Sequence, residues 1–153
     1  MNGRVLVWPL VLALALALAA QTLRWQDRSI VSRTLRTVEA LTMPAFNAGR
    51  TDVLQTNLEV LRQAQKREPL EVGLPTARGT QHYLLKQPQA AIDAYEESLR
   101  LEPRPETYVY LGLALHQAGR TEEAVRAFHS GLRIDPRLRV QVPPSLRGRL
   151  GIH

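Results

Sequence analysis

The sequence contains no cysteine. That excludes disulfides, thiolate metal sites, thiol catalysis and a lipid-modified N-terminal cysteine together. It leaves the compartment open, because a chain without thiols suits oxidising and reducing spaces equally. Aromatic residues are only 5% of the chain, and the interleaved rings on which nucleic-acid bases stack are missing. Lysine is confined to Lys66 and Lys86, so eighteen of the 20 basic residues are arginine, a bias that hints at a GC-rich bacterial genome. Against 14 acidic residues the net charge is +6, which favours lipid headgroups, nucleic acid or acidic proteins as partners. The 153 residues leave room for one small domain and an appendage, not for a multidomain enzyme.

Catalytic arrangements are also missing. The histidines, His82, His116, His129 and His153, show neither HExxH nor paired-ligand spacing. Glu96-Glu97 and Glu122-Glu123 fall on outer helix faces, where solvation explains them better than paired-acid chemistry does. No glycine-rich loop is followed by a lysine to cradle phosphate. The chain therefore reads as a non-enzyme, with no cofactor, no metal and no catalytic residue.

The one long apolar run is Val5–Ala20, sixteen uncharged residues that extend through Leu23 to nineteen, about 28 Å as a helix. Three features favour a retained transmembrane helix over 5–23 rather than a cleaved signal peptide with Ala17-Leu18-Ala19 as its cleavage site. Trp8 and Trp25 sit near its two ends, where indoles favour the membrane interface. Arg24, Arg28, Arg33 and Arg36 follow directly, and basic residues just past a cleavage site hinder export. The run also exceeds a signal core of roughly 7–15 residues. Residues 1–4 then form a short tail and 24–33 a basic juxtamembrane segment, with Trp8, Arg24, Trp25 and Arg28 at the interface and anionic headgroups as a partner. The arginine count argues for a domain on the cytoplasmic side, and the very short tail for the periplasmic or outer side of the inner membrane, which is the side adopted here.

The remainder repeats itself. Tyr95 to Pro103 and Phe128 to Pro136 share an aromatic followed by Leu-Arg-aliphatic-acid-Pro at an offset of 33. Ala90-Ala91-Ile92-Asp93-Ala94 answers Glu123-Ala124-Val125-Arg126-Ala127 at the same offset, and Ala48-Gly49-Arg50-Thr51-Asp52 matches Ala118-Gly119-Arg120-Thr121-Glu122 seventy apart. Three helical hairpins are implied. In the last, Tyr108, Leu111, Gly112 and Leu115 form the stripe of a first helix. Gly119 closes that helix, Thr121 is placed to cap the next, and Pro136 stops it. Ala124, Phe128, Gly131 and Leu132 form the inward stripe of the second helix.

These residues resemble the tetratricopeptide repeat, a 34-residue helix–turn–helix. Its pattern is met by Tyr108, Leu111-Gly112, Leu115, Ala124, Phe128, Gly131 and Pro136, with glycine for the later alanine. The middle unit matches at Gly79, Ala91, Tyr95, Ser98 and Pro103, and departs at Arg78, where leucine is usual, and at Lys86 in place of the turn glycine. The first keeps Gly49 and a stripe of Leu54, Leu58 and Leu61, but Met43-Pro44 should kink or shorten its first helix. The expected architecture is all-α: a transmembrane helix, then a short solenoid of hairpins at 34–66 (degenerate), 76–103 and 105–136, then a tail over 137–153. That tail either packs back through Leu138, Val140, Val142 and Leu146 or leaves the last hairpin open to a partner.

The resemblance implies a concave face lined by first helices, suited to a protein partner. Thr80, Tyr83, Leu84, Val109, Leu113, His116 and Gln117 are expected on that face, although Leu84 and Leu113 fit a core role equally well. Val109 and Leu113 stand where repeats that clamp a terminal carboxylate carry lysine and asparagine, so acidic-tail docking is not expected. Nucleic acid is not expected either, since the arginines lie at the two ends of the chain rather than in one stripe. The function implied is a membrane-anchored adaptor or scaffold for assembly of an envelope complex. The alternatives are a structural subunit of a stable membrane complex and a periplasmic binding protein released by signal cleavage.

Overall fold

The computed structural model describes residues 7–152, apart from the side chains at 7–11, 24 and 27–29. Six helices follow in order: α1 (Val7–Asn47), α2 (Thr51–Arg67), α3 (Gly73–Leu84), α4 (Pro88–Leu101), α5 (Pro105–Gln117) and α6 (Thr121–Ile134). No strand occurs among the described residues. Helices pair as α1 with α2, α3 with α4 and α5 with α6, and each hairpin stacks on the next. Pro88 and Pro105 open α4 and α5 at a position whose N–H has no partner within the helix. Pro75 likewise falls in the first turn of α3, so that helix begins at Gly73, ahead of the repeat boundary expected at 76.

The three hairpin turns share one hydrogen-bond pattern. Gly119 N–H donates to His116 O (3.0 Å) and Arg120 N–H to Leu115 O (2.9 Å) in the last. Gly49 to Phe46 (3.0 Å) and Arg50 to Ala45 (2.8 Å) repeat it in the first, and Lys86 to Tyr83 (3.1 Å) and Gln87 to His82 (2.9 Å) in the middle. This closure requires a left-handed residue. Gly119 and Gly49 supply it at φ 77° and 67°, and Lys86 is forced into it at φ 58°. Thr121 does not cap α6. Arg120 occupies the cap position and forks its guanidinium onto Glu123 (2.7 and 2.6 Å).

Within the hairpins a ring lies against a glycine. A Cβ on Gly79 would stand 2.5 Å from the Tyr95 ring, and one on Gly112 would stand 3.0 Å from that of Phe128. Both pairs keep the 33-residue offset. Ala91 and Ala124 are fully buried beside them. Gly131 replaces the usual alanine because α6 runs against the chain at the start of α5: a Cβ there would lie 2.8 Å from Pro105 O. Ser98, its counterpart in α4, shares a hydrogen bond with Thr76 (2.7 Å). Leu111 is buried, Tyr108 is half-buried, Pro103 follows the end of α4 and Pro136 opens the next turn.

Two apolar clusters result. One joins the second and third hairpins with the tail, and the other holds Val31, Val38, Leu61, Ala64, Leu74 and Ala77 between the first hairpin and α3. The tail closes the last hairpin. A 3₁₀ turn (Pro136–Gln141), a single helical turn (Pro144–Arg147) and a second 3₁₀ turn (Gly148–Leu150) bring Val142 and Leu146 to 1% and 2% exposure in the core, with Leu138 packed beside them. Val140 does not join them and is 73% exposed. Arg149 ties the tail to Glu122 of α6 (2.6 Å). The tail thus fills the face that a partner would otherwise have found open.

Polar side chains carry the joint between the first hairpin and the rest. Gln81 of α3, 1% exposed, donates to Thr42 of α1 (2.8 Å) and accepts from Asn57 of α2 (3.4 Å). Arg78 bridges Gln65 of α2 and Glu97 of α4, which accounts for a charge where the repeat pattern has leucine.

The expectation of a membrane-spanning helix is corrected. Among the described residues no helix is long and apolar enough to cross a membrane. The uncharged part of α1 ends at Leu23. Beyond it α1 does not stop. It runs through a segment holding Arg24, Asp27, Arg28, Arg33 and Arg36 and becomes the first helix of the first hairpin, burying Val31 and Val38. The single-pass inner-membrane location, and the placement of the repeats on its outer side, fall with it. Met43-Pro44 does not shorten the helix either; α1 continues to Asn47, with Ala48 N–H donating to Pro44 O (3.1 Å). Among the residues assigned to an interface, Trp25 is exposed on α1, and the side chains of Trp8, Arg24 and Arg28 lie outside the described residues. Leu12, Leu14, Leu16 and Leu18 are exposed as well.

Three substitutions test this account. Lys86→Gly should raise stability by about 0.5–1 kcal/mol, because the left-handed conformation costs a side-chain-bearing residue about 1–2 kcal/mol, partly offset by glycine's unfolded-state entropy. Gly119→Ala should lower stability by about 1 kcal/mol for the same reason, and urea melts of the two variants should move in opposite directions. Gln81→Leu should cost about 1–3 kcal/mol by stranding Asn57 and taking from Thr42 the bond it accepts, with hydrogen exchange quickening first where α1 meets α3.

Candidate functional site

The first helices of the three hairpins enclose an open groove of about 440 Å³. From α1 come Val38, Glu39, Thr42 and Met43; from α3, Gly73, Thr76, Ala77, Thr80 and Gln81; from the start of α5, Arg104, Glu106, Thr107 and Tyr110. In each helix these residues recur three or four apart, the spacing of one helical face. Val38 and Ala77 form a nearly buried apolar floor, and Met43 is half exposed beside them.

Polar groups of the lining are largely committed. Thr42 donates to Val38 O (2.6 Å), Thr80 to Thr76 O (3.2 Å), and the Tyr95 hydroxyl donates to Thr80 Oγ1 (3.3 Å). The Tyr95 and Tyr110 rings meet at 5.9 Å, tilted by 39°. Burial pushes the Tyr95 hydroxyl above the ordinary phenol range. Burial raises Tyr110 too, and the Glu106 and Glu39 carboxylates raise it further. Arg104 donates from Nε and Nη2 to the two carboxylate oxygens of Glu102 (2.9 and 2.9 Å), which holds the Glu102 carboxyl below its usual range.

The residues assigned from sequence to the concave face divide among three places. Thr80 lines the groove. Val109 is fully buried and offers no surface, while Tyr83 and Leu113 are half-buried against the core. Leu84 is half-buried at the end of α3. Tyr83 and Gln117 meet at the far ends of α3 and α5: the Gln117 amide, oriented to satisfy both neighbours, donates to Tyr83 O (3.3 Å) and accepts from Lys86 Nζ (3.2 Å). Lys86 also lies over the Tyr83 ring at 6.0 Å. His116 is half-buried, and its Nδ1 has no partner among the described residues.

Sequence reasoning missed the contribution of α1, along with Glu106 and Tyr110 of α5. Tyr110 is one residue from Val109, and one residue is about 100° of helix, enough to exchange core for groove. The available signal was the spacing of Glu106 and Tyr110, which matches that of Gly73 and Ala77 one repeat earlier. Among the described residues no group of three or more histidine, aspartate or glutamate side chains is placed to hold a metal.

Comparison with known proteins bears on the third hairpin. Residues 105–138 match the family model of the tetratricopeptide repeat, a span that takes in α5, α6 and the first residues of the tail. No curated protein matches the chain. The third hairpin is therefore similar to a tetratricopeptide repeat, and the two helical hairpins before it share its architecture.

Proposed function

We propose that the chain is a non-enzymatic adaptor or scaffold that takes an extended segment of a protein partner in the groove between α1, α3 and α5. Tetratricopeptide repeats are typically non-catalytic protein-interaction modules. The observation that carries the reading is the groove itself: three stacked first helices with an apolar floor and a polar rim. The core positions of the repeat are spent on packing, and the tail covers the end of the stack. What remains for a partner is the concave face, whose floor would take alternate side chains of an extended peptide. A permanently buried structural subunit is less well supported, because the chain's own tail already occupies the terminal face where such a subunit would dock.

The test is selection of peptides from a displayed random library on the full-length chain, followed by affinity measurement on two variants. Thr80→Trp fills the groove and should weaken selected peptides roughly tenfold or more, about 1.4 kcal/mol. Arg126→Trp, exposed on α6 away from the groove, should leave them unchanged. Equal affinity for both variants would remove the groove from the account.

A further inference from the structure

We propose that the groove selects its partner by a basic side chain, arginine or lysine, seated between Glu39 and Glu106 beside the Tyr110 ring. The inference rests on the adaptor reading above and names the chemistry of the partner. The chain as a whole is strongly basic, at +6. The groove reverses that sign. Its only lining cation among the described residues, Arg104, is already forked onto Glu102, outside the lining. Glu39 and Glu106 remain, one from α1 and one from α5, both exposed; neither makes an ion pair within 4 Å among the described residues, although Arg104 and Arg137 act on Glu106 at longer range. Both line the same groove as Tyr110.

The rest of the lining suits a long basic side chain better than a compact cation. Met43, half exposed beside the nearly buried Val38 and Ala77, supplies an apolar surface for its methylene stem, and the exposed carboxylates line the same groove for its head. The Tyr110 ring adds a face for the cation, with guanidinium stacking better than ammonium. A divalent metal would need more converging oxygens than two carboxylates. An acidic peptide or a nucleic-acid backbone would meet two negative charges at the entrance. The committed occupant is therefore an extended peptide segment carrying arginine or lysine.

The experiment uses the full-length chain and four sets of fluorescein-labelled nine-residue peptides. The central residue is fixed as arginine, lysine, glutamine or glutamate, and the other positions are degenerate. The arginine and lysine sets should bind roughly fivefold to tenfold tighter than the glutamine set, with the glutamate set weakest, and the advantage should shrink as salt is raised. Glu39→Gln and Glu106→Gln should each cost the arginine set about twofold to fivefold. The double variant should bring it to the level of the glutamine set without weakening the latter. Both glutamates are exposed, so neither variant threatens the fold. Equal binding of all four sets, each lost in Thr80→Trp, would leave the groove standing and overturn the basic preference. An arginine preference that survives the double variant would overturn the assigned position. Binding of no set, or binding indifferent to Thr80→Trp, would overturn the adaptor reading as well. Self-association of the chain abolished by the double variant would put a second copy's arginine in the site and overturn a separate partner.

Discussion

The structure depends on a ring seated against a residue without a side chain. Tyr95 lies on Gly79 so close that a Cβ would collide with the ring, and Phe128 lies on Gly112 so close that a Cβ would have to push the ring by a few tenths of an ångström. A hairpin packed this way has little freedom in the separation of its helices, since interiors are close-packed and a single methyl group is felt. Stacked hairpins inherit that constraint, and the spacing of their first helices sets the width of the groove. Tyr95 carries it directly to the surface: its ring fills the hairpin and touches Tyr110 of the next one, while its hydroxyl holds Thr80 in the groove wall. Core and site share one residue.

The first hairpin is joined to the others by a different kind of contact. Between the second and third hairpins the apolar cluster is continuous and reaches into the tail. Where α1 and α2 meet α3 the smaller cluster is flanked by Thr42, Asn57 and Gln81 on one side and by Gln65, Arg78 and Glu97 on the other. Such bonds add little net stability but penalise any arrangement that breaks them. The joint is therefore fixed in register more than it is strong. That matters for function, because α1 supplies one wall of the groove and Glu39 with it.

Helical hairpins were legible in the sequence because glycine, the aromatic and the chain-stopping proline each do a separate physical job and recur at one offset. The repeat offset placed Lys86 at the middle turn, yet nothing in its chemistry announces a left-handed backbone; the structure imposes it because the hydrogen-bond pattern on either side demands it. Arg78 read as a defect until its partners were brought together by α2 and α4. The groove was harder to read, because the choice between Val109 and Tyr110 is a matter of helix phase, and both are apolar enough for the core. The N-terminal segment misled for a reason of its own. Local composition favoured a span ending near Leu23, yet the helix runs on into the first hairpin, and tertiary burial of Val31 and Val38 accounts for its second half.

Net charge and site charge answer different questions. The excess of arginine is a property of the whole surface and acts over distances limited by a screening length of about 8 Å at physiological salt. Arg137 and Arg139 are exposed on the tail, and Arg137 is paired with Asp135 while also acting at longer range on Glu106. A basic partner would gain no steering from such a surface and would be slowed on approach. Its attraction would begin only at contact, where Glu39, Glu106 and the Tyr110 ring are close enough to outweigh the background. Recognition of that kind discriminates by how long a segment stays rather than by how fast it arrives. An interaction module on a strongly basic chain can then favour a basic segment without contradiction, because the sign that counts is the one inside the groove.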